Sequence, residues 1–194
     1  MASTSASLLD LLKKAPADSP DWSKLNDIYL PLIKSWLARI SGTRGESDDL
    51  AQEVLVVLVR ELRTFQPRGK GSFRAWLRQI TVNKTRAYFK SRRNRPMAGL
   101  GKDEDDFLSQ LEDPNSELAR EWDREHDRHV SQKLLELVKN DFEPTTWDAF
   151  RRFALDGVPA SKVAAEMGIS ENSVLLSKSR VLKRLRREAG GFLT

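Results

Sequence analysis

Residues 72–95 read SFRAWLRQITVNKTRAYFKSRRNR and carry the clearest pattern in this 194-residue chain. Apolar and aromatic side chains recur there every three or four residues, which predicts an amphipathic helix. Residues 60–95 also hold twelve lysines and arginines against one acid, Glu61. A basic helix with interleaved aromatic rings suits a nucleic-acid backbone whose bases can be stacked. The aromatic residues of the stretch are Phe73, Trp76, Tyr88 and Phe89.

Charge changes sign by segment along the chain. The formal net charge is +5, yet residues 96–129 hold eleven acids against four basic residues. A second basic stretch follows, with six lysines and arginines between Lys178 and Arg187. Charges grouped in this way indicate a polyanionic partner better than the net charge does. Solvated helix faces are the plainer alternative.

Several protein classes are excluded by composition. The chain has no cysteine, and no apolar run approaches the ~20 residues of a membrane span. We expect a cytoplasmic protein with no membrane partner, no cofactor and no metal. His126 and His129 stand beside Glu125, but no third ligand for a zinc site is in view. No phosphate-binding glycine loop or nucleophile elbow occurs, so we expect no catalytic residue and no enzyme.

Helical spacing runs through nearly the whole chain, which predicts an all-α fold of two small helical modules joined by an acidic linker. Pro31 should kink or split the first long helix. The β-branched residues around Asn83 should interrupt the basic helix with a bend or short loop. The expected divisions are a loosely held N-terminal arm at 1–20, a first module at 21–96, the acidic linker at 97–128 and a second module at 129–190.

The second module has the pattern of a helix-turn-helix, VPASKVAAEMGISENSVLLSKSRVLKRLRR at residues 158–187. Gly168 permits the backbone conformation of a tight turn, and Ser170 is suited to cap the second helix. That helix would place its N-terminal residues against base edges in the major groove and its basic end on phosphates. An ordinary helical hairpin is the alternative, against which the six basic residues argue.

Taken together, the two modules resemble bacterial RNA polymerase sigma factors of the sigma-70 family, extracytoplasmic-function (group 4) type. The resemblance rests on DDLAQEVLVVL at 48–58, FRAWLRQITVNKTRAYFKSRR at 73–93 and the helix-turn-helix. It implies a region 2 domain at 21–96 that docks on core polymerase and recognises and melts the −10 element. It also implies a region 4 domain at 129–190 that reads the −35 element. Such a chain would direct core polymerase to specific promoters and initiate transcription.

The resemblance carries over to single positions. The residues that match the segment docking on core polymerase are Asp49, Leu50, Gln52 and Glu53. The residues that match the −10 segments are Arg74, Trp76, Asn83, Lys84, Arg86, Lys90, Arg92 and Arg93. The groove-facing residues of the −35 module are Ser173, Ser177, Lys178, Arg180, Lys183 and Arg184.

Some of these positions also have a plainer interpretation. Asn83 stands where the family captures a flipped base, but an asparagine also serves as a helix-breaking cap. Trp76 would equally pack in a core, and acids at the docking segment would favour a helix N-terminus without a partner. Leu175 and Leu176 replace the arginine and serine often found in the family. They would contact thymine methyls or simply pack.

The partners that the resemblance implies are core RNA polymerase, through its β′ clamp helices and β flap, and promoter DNA. An anti-sigma factor or a regulatory kinase is left open. The acidic linker would thread the RNA exit path as a nucleic-acid mimic or act as a solvated tether. Two rival functions are a stand-alone helix-turn-helix DNA-binding transcription regulator and a metal-dependent nuclease using the acids at 103–106. A stand-alone regulator would leave the DDLAQEV segment without a role, and a nuclease would lack a rigid site for its metal ligands.

Overall fold

The computed structural model describes residues 8–16, 19–43, 45–66, 68–69, 71–92, 101–190 and 192–193, apart from the Arg92 side chain. Within these ranges every regular element is helical, which confirms the all-α prediction. The chain divides into two compact units, Met1–Val130 with Gly191–Thr194 and Ser131–Gly190. None of the described helices is both long and apolar enough to cross a membrane.

The first unit is built from the helices that precede residue 131. They are α1 (Leu8–Lys14), α2 (Asp21–Leu37), a 3-10 turn (Ser41–Thr43), α3 (Ser47–Leu62), α4 (Ser72–Arg92), α5 (Lys102–Glu112) and the first part of α6 (Glu117–Lys139). The pairs α2 with α3 and α3 with α4 pack against each other, and α5 packs on α4.

Helix α2 runs through Pro31 without being split. Pro31 is exposed, while Leu32 and Ile33 beside it are buried. Burial of the apolar stripe therefore offsets the hydrogen bond that proline cannot donate. The same stripe carries Trp36, whose ring centroid lies 5.0 Å from that of Trp122 on α6.

The interruption expected near Asn83 is wrong, because α4 is helical from Ser72 to Arg92. Thr81 and Thr85 are buried. Their hydroxyls donate to the carbonyls one turn earlier, that of Leu77 at 2.9 Å and that of Thr81 at 2.8 Å. Tertiary burial thus overrides the weaker helix propensity of β-branched residues.

The loosely held arm is also wrong for residues 8–16, which the structure describes. Leu8, Leu9 and Leu12 of α1 are buried, and α1 packs on α2. The Arg63 guanidinium donates to the carbonyl of Ala15 at 2.8 Å. Three leucines on one face of this short helix already indicated that it packs against the rest of the unit. Residues 1–7 and 17–18 lie outside the described part of the chain.

The acidic segment contains two helices, so the mobile stretch expected in the linker is wrong for residues 102–112, where α5 lies. The part from Glu117 onward, which the sequence predicts to lead into a helix, opens α6. Residues 97–100 lie outside the described ranges. The apolar residues of the segment recur at helical spacing, and burying them stabilises both helices more than the repulsion among their acids destabilises them. The buried residues are Leu108, Leu111, Ala119 and Trp122.

The second unit contains the end of α6 and a helix-turn-helix. Its further elements are α7 (Pro144–Phe150), a π-helical turn (Arg151–Leu155), α8 (Ala160–Met167) and α9 (Glu171–Ala189). Ala149, Val163, Ala164 and Val174 form its core. Gly168 has φ 67°, and the backbone N–H of Ser173 donates to Ser170 Oγ at 3.1 Å. The predicted turn glycine and helix cap are thereby confirmed.

Candidate nucleic-acid interface

Helix α3 presents an acid-edged face to solvent. Asp49, Gln52 and Glu53 are exposed on it. Leu50 is only 2% exposed, which corrects its place among the surface contacts, since a leucine in the core cannot meet a partner. Leu50 instead fixes the helix against its neighbours. Asp48, next to these residues, pairs with Lys34 at 2.8 Å.

An apolar groove extends this face between α2 and α3. The groove is open and has a volume of about 550 Å³. Val56, which is 64% exposed, lines it together with Trp22, Asn26 and Gln52. Sequence reasoning missed Val56 and Trp22 as surface residues. The signal for Val56 was its position, two residues past buried Val54 and so off the buried face.

The aromatic rings of α4 serve mainly in packing. Phe73 is fully buried and Phe89 nearly so. Trp76 is half-buried, stacks on Phe65 at a centroid distance of 4.4 Å and meets Phe73 edge-on at 5.5 Å. Trp76 therefore packs against neighbouring rings, which is the plainer of its two interpretations. The expectation that the aromatic stripe offers stacking platforms is corrected for these three rings.

The arginines in the first half of α4 are paired with acids of α6. Arg74 Nη1 lies 2.8 Å from a carboxylate oxygen of Asp127, and Arg78 Nη1 lies 2.9 Å from Asp123 Oδ1. The Arg78 side chain is 7% exposed and that of Arg74 17%. Burial lowers the pKa of the Arg78 guanidinium, and the charge of Asp123 opposes that shift.

The middle of α4 is paired with the last residue of α5. Gln79 Nε2 donates to Glu112 and to Asn83 Oδ1, each at 3.0 Å. Arg86 Nη1 lies 2.6 Å from the second Glu112 oxygen. The hydrogen bond from Gln79, followed by that from Arg86, lowers the pKa of the Glu112 carboxyl. Asn83 is exposed, so its amide is on the surface and not in a helix cap.

Two further basic residues of α4 complete its surface. Lys84 Nζ lies 2.9 Å from Glu53 of α3, so a residue predicted to bind DNA contacts one predicted to dock on polymerase. Lys90 is exposed. Arg93 lies outside the described residues, as does the side chain of Arg92.

A buried histidine lies beneath the paired arginines. His126 is fully buried, with Nε2 3.4 Å from the Tyr29 hydroxyl and Nδ1 3.1 Å from Asp127. Burial lowers the pKa of the His126 imidazole more than Asp127 raises it. His129 Nε2 lies 2.6 Å from the carbonyl of Ile28. The described residues contain no group of three or more potential ligands that could hold a metal ion.

Four of the six groove-facing residues predicted on α9 are engaged within the second unit. Ser173 Oγ lies 2.8 Å from Ser170 Oγ. Ser177 is buried and donates to the carbonyl of Ser173 at 2.8 Å. Lys178 Nζ lies 5.0 Å from the ring centroid of Phe153. Arg184 pairs with Asp141 at 2.8 Å and with Glu188.

The outward face of α9 is formed by other residues. Arg180 and Lys183 are exposed as predicted. Leu175 is 49% exposed and Leu176 46%, so neither packs in the core. The spacing of buried Val174, Ser177 and Val181 was the signal that fixes this face. Exposed residues of α9 that the prediction did not place in the groove include Glu171, Asn172, Ser179 and Arg186.

Comparison with known proteins connects this geometry to a family. A family model described as Sigma-70 region 2 matches residues 26–95. The chain is 25% identical over 170 residues to the ECF RNA polymerase sigma factor SigE of Mycolicibacterium smegmatis, covering 88% of this chain and 62% of that protein. Residues 26–95 therefore match the sigma-70 region 2 family, and most of the chain is similar to a sigma factor of the extracytoplasmic-function type.

A second relative is the probable RNA polymerase sigma factor RfaY of Xanthomonas campestris pv. campestris. It is 28% identical over 142 residues, which cover 73% of this chain and 34% of that protein. The chain therefore spans less than two thirds of the length of either relative. The sigma-70 region 2 match ends at residue 95, so the acidic helices α5 and α6 lie outside it.

Proposed function

We propose that this chain is a promoter-specificity subunit that binds core RNA polymerase and directs it to start transcription at selected promoters. The observation that carries the proposal is the sigma-70 region 2 match on a unit that has both an exposed acid-edged helix and a basic helix. A helix-turn-helix follows in the same chain. Such a role is exercised in the cytoplasm and requires no catalysis by the subunit itself.

Docking on the β′ clamp helices would use the exposed face of α3. Gln52 lines the apolar groove together with Val56, and Glu53 next to it offers an exposed carboxylate. Apolar burial would supply affinity, while the acids of α3 would set the register against a basic partner helix.

Recognition of the −10 element would use the outer face of α4. The Asn83 amide is exposed, and amides read base edges through paired hydrogen bonds. Lys84 and Lys90 flank it on the same helix, where ammonium groups would hold phosphates of the separated strands. Unstacking a base costs a few kcal/mol, which contacts made only in the open complex would offset.

Recognition of the −35 element would use α9, which begins at its Ser170 cap. Its N-terminal half presents Leu175 and Leu176, and its C-terminal half presents Lys183. In a helix-turn-helix the N-terminal residues of the second helix meet base edges. Exposed leucines in that position suit thymine methyl groups.

The β flap would bind a separate groove of the second unit. This groove is open, has a volume of about 710 Å³ and is lined by Phe142, Trp147 and Met167, with Lys139 and Arg151 at its polar edge. Apolar walls with a charged edge suit an amphipathic helix of a partner.

Transcription in vitro tests the proposal. Purified chain is mixed with core polymerase on a library of promoter fragments, and transcripts are sequenced. We expect transcripts that start downstream of a shared pair of sequence elements only when both components are present. Gln52→Ala with Glu53→Ala should weaken core binding, whereas Asn83→Ala should spare core binding and impair promoter opening. If the chain represses or activates without binding core polymerase, it is a stand-alone regulator and the proposal fails.

A further inference from the structure

The basic face of α4 is occupied by acids from the same compact unit. We call Glu112, Asp123 and Asp127 the acidic cover. Glu112 contacts Arg86, while Asp123 and Asp127 contact Arg78 and Arg74. All three of these contacts between helices lie within the first unit. Two of the arginines that resemble DNA-binding residues, Arg74 and Arg86, therefore already have an anionic partner.

These contacts have the chemistry that a DNA phosphate would have. A carboxylate and a phosphate both accept from a guanidinium through two oxygens. An N–H group of Arg74 or Arg86 that points at a carboxylate cannot at the same time donate to a phosphate. The Arg74 side chain is 17% exposed and that of Arg86 34%, so a phosphate would have to displace the acid that covers each.

The two helices that carry the cover are held with different strength. On α6, Trp122 is fully buried against Trp36, and its indole N–H lies 3.3 Å from the carbonyl of Arg74. His126 of the same helix is also fully buried. Helix α6 is therefore part of the core of the first unit.

Helix α5 is attached more lightly. It buries Leu108 and Leu111, packs on α4, and ends in Glu112. The Glu112 and Arg86 side chains are 38% and 34% exposed, and ion pairs that water reaches are individually weak. Of the two helices, α5 buries fewer side chains, so its departure exposes Leu108 and Leu111 but leaves Trp122 and His126 in place.

We propose that α5 is a removable internal competitor of DNA, which leaves Arg86 and Gln79 free for phosphates only when the chain engages a promoter on polymerase. The inference rests on the proposed function, and it adds that α5 of the acidic segment competes with promoter DNA for α4. The free chain then binds DNA weakly through α4, because Glu112 must be displaced before the middle of α4 can meet a phosphate.

Neutralising the cover tests this competition. Glu112→Gln keeps the shape of the side chain and removes its charge, and Asp106→Asn removes one charge from an exposed position of the same helix. Fluorescence anisotropy with a labelled single-stranded oligonucleotide, without polymerase, gives the affinity of each full-length chain. We expect Glu112→Gln to bind up to about fivefold tighter than wild type at low salt, and Asp106→Asn to differ far less. Equal affinities of the two variants would overturn the proposal.

A covalent lock gives a second, independent test. The chain has no cysteine, so Gln79→Cys with Glu112→Cys creates a unique pair across α4 and α5. A short bismaleimide then fixes α5 in place. We expect the locked chain to bind core polymerase but to open promoters at least tenfold more slowly than the same variant left uncrosslinked. Normal opening by the locked chain would overturn the proposal.

The outcomes separate this inference from the proposed function. If wild type starts transcription with core polymerase but neither the Glu112 variant nor the lock has an effect, only the competitor fails. If wild type neither binds core polymerase nor starts transcription, the proposed function fails and α5 has no promoter DNA with which to compete.

Discussion

The two basic helices of this chain differ in what faces their positive charge. On α4, Arg74, Arg78 and Arg86 are paired with acids that follow later in the sequence. On α9, Arg180 and Lys183 are exposed, and two leucines lie beside them. A count of charges treats the helices alike, whereas the described arginine side chains of α4 are paired with acids of α5 and α6, and α9 keeps Arg180 and Lys183 exposed. Positive sequence charge is therefore not the same as available charge.

The largest expected effect tests how firmly α6 holds its side of the cover. Asp123→Asn with Asp127→Asn leaves Arg74 and Arg78 without their counter-charges. We expect the free energy of unfolding to fall by about 2–3 kcal/mol, less than the ~3–5 kcal/mol of fully buried pairs because both aspartates are partly exposed. Urea denaturation followed by circular dichroism measures it.

The matched control lies on the same helix. Glu121→Gln with Glu125→Gln removes two charges that pair with Arg39 of α2 instead. These exposed pairs should contribute less than about 1 kcal/mol. An equal loss of unfolding free energy in both double variants would show that the ion pairs with α4 stabilise the protein no more than the exposed pairs with Arg39.

A smaller effect comes from the buried histidine beneath the cover. The pKa of His126 is lowered from 6.5, chiefly by burial, while Asp127, Arg74 and Tyr29 face the ring. Below pH 6.5 the unfolded chain therefore binds a proton that the folded chain rejects. The free energy of unfolding should fall by up to about 1 kcal/mol per pH unit from that point downward. His126→Gln should flatten this slope in denaturation curves between pH 7 and 5.5, and an unchanged slope would contradict the assignment.

On the open helix, the leucines should contribute to base reading. Thymidine and deoxyuridine differ only in the methyl group on the base. Replacing the −35 thymines by deoxyuridine should weaken holoenzyme binding by about 0.8 kcal/mol for each buried methyl, close to fourfold. The loss should be absent in Leu175→Ala with Leu176→Ala, as measured by competition gel shifts. A loss of the same size in that variant would show that other residues meet the methyl groups.

The smallest effect concerns the link between docking and DNA binding. Glu53→Gln removes the partner of Lys84, and Gln52→Ala next to it leaves that pair intact. Both variants should weaken core binding in a pull-down titration. Only Glu53→Gln should also change the oligonucleotide affinity of the free chain, by less than about fivefold, because an exposed pair contributes ~0.2–1 kcal/mol. Equal oligonucleotide affinities of the two variants would show that the Glu53–Lys84 pair does not couple docking to DNA binding.

Sequence periodicity predicted much of this structure and failed at definable points. The helix-turn-helix was predictable because Gly168 and Ser170 act through local backbone chemistry. The unbroken course of α4 was not, because burial of Thr81 and Thr85 depends on distant helices.

The candidate site shows the same division. The exposed positions of Gln52, Glu53 and Asn83 agree with their predicted roles, which remain to be tested. The pairing of Arg74 with Asp127 joins residues 53 positions apart, and no local pattern reports such a contact. The sequence shows that residues 96–129 are rich in acids, but it does not show which basic residues their carboxylates contact.

Footprinting of promoter DNA with and without core polymerase tests the difference between the two helices most directly. With core polymerase, protection should cover both the −10 and the −35 element. The free chain at high concentration should protect at most the −35 element, because α9 is open and α4 is covered. Protection of the −10 element by the free chain, as strong as that of the −35 element, would contradict the account.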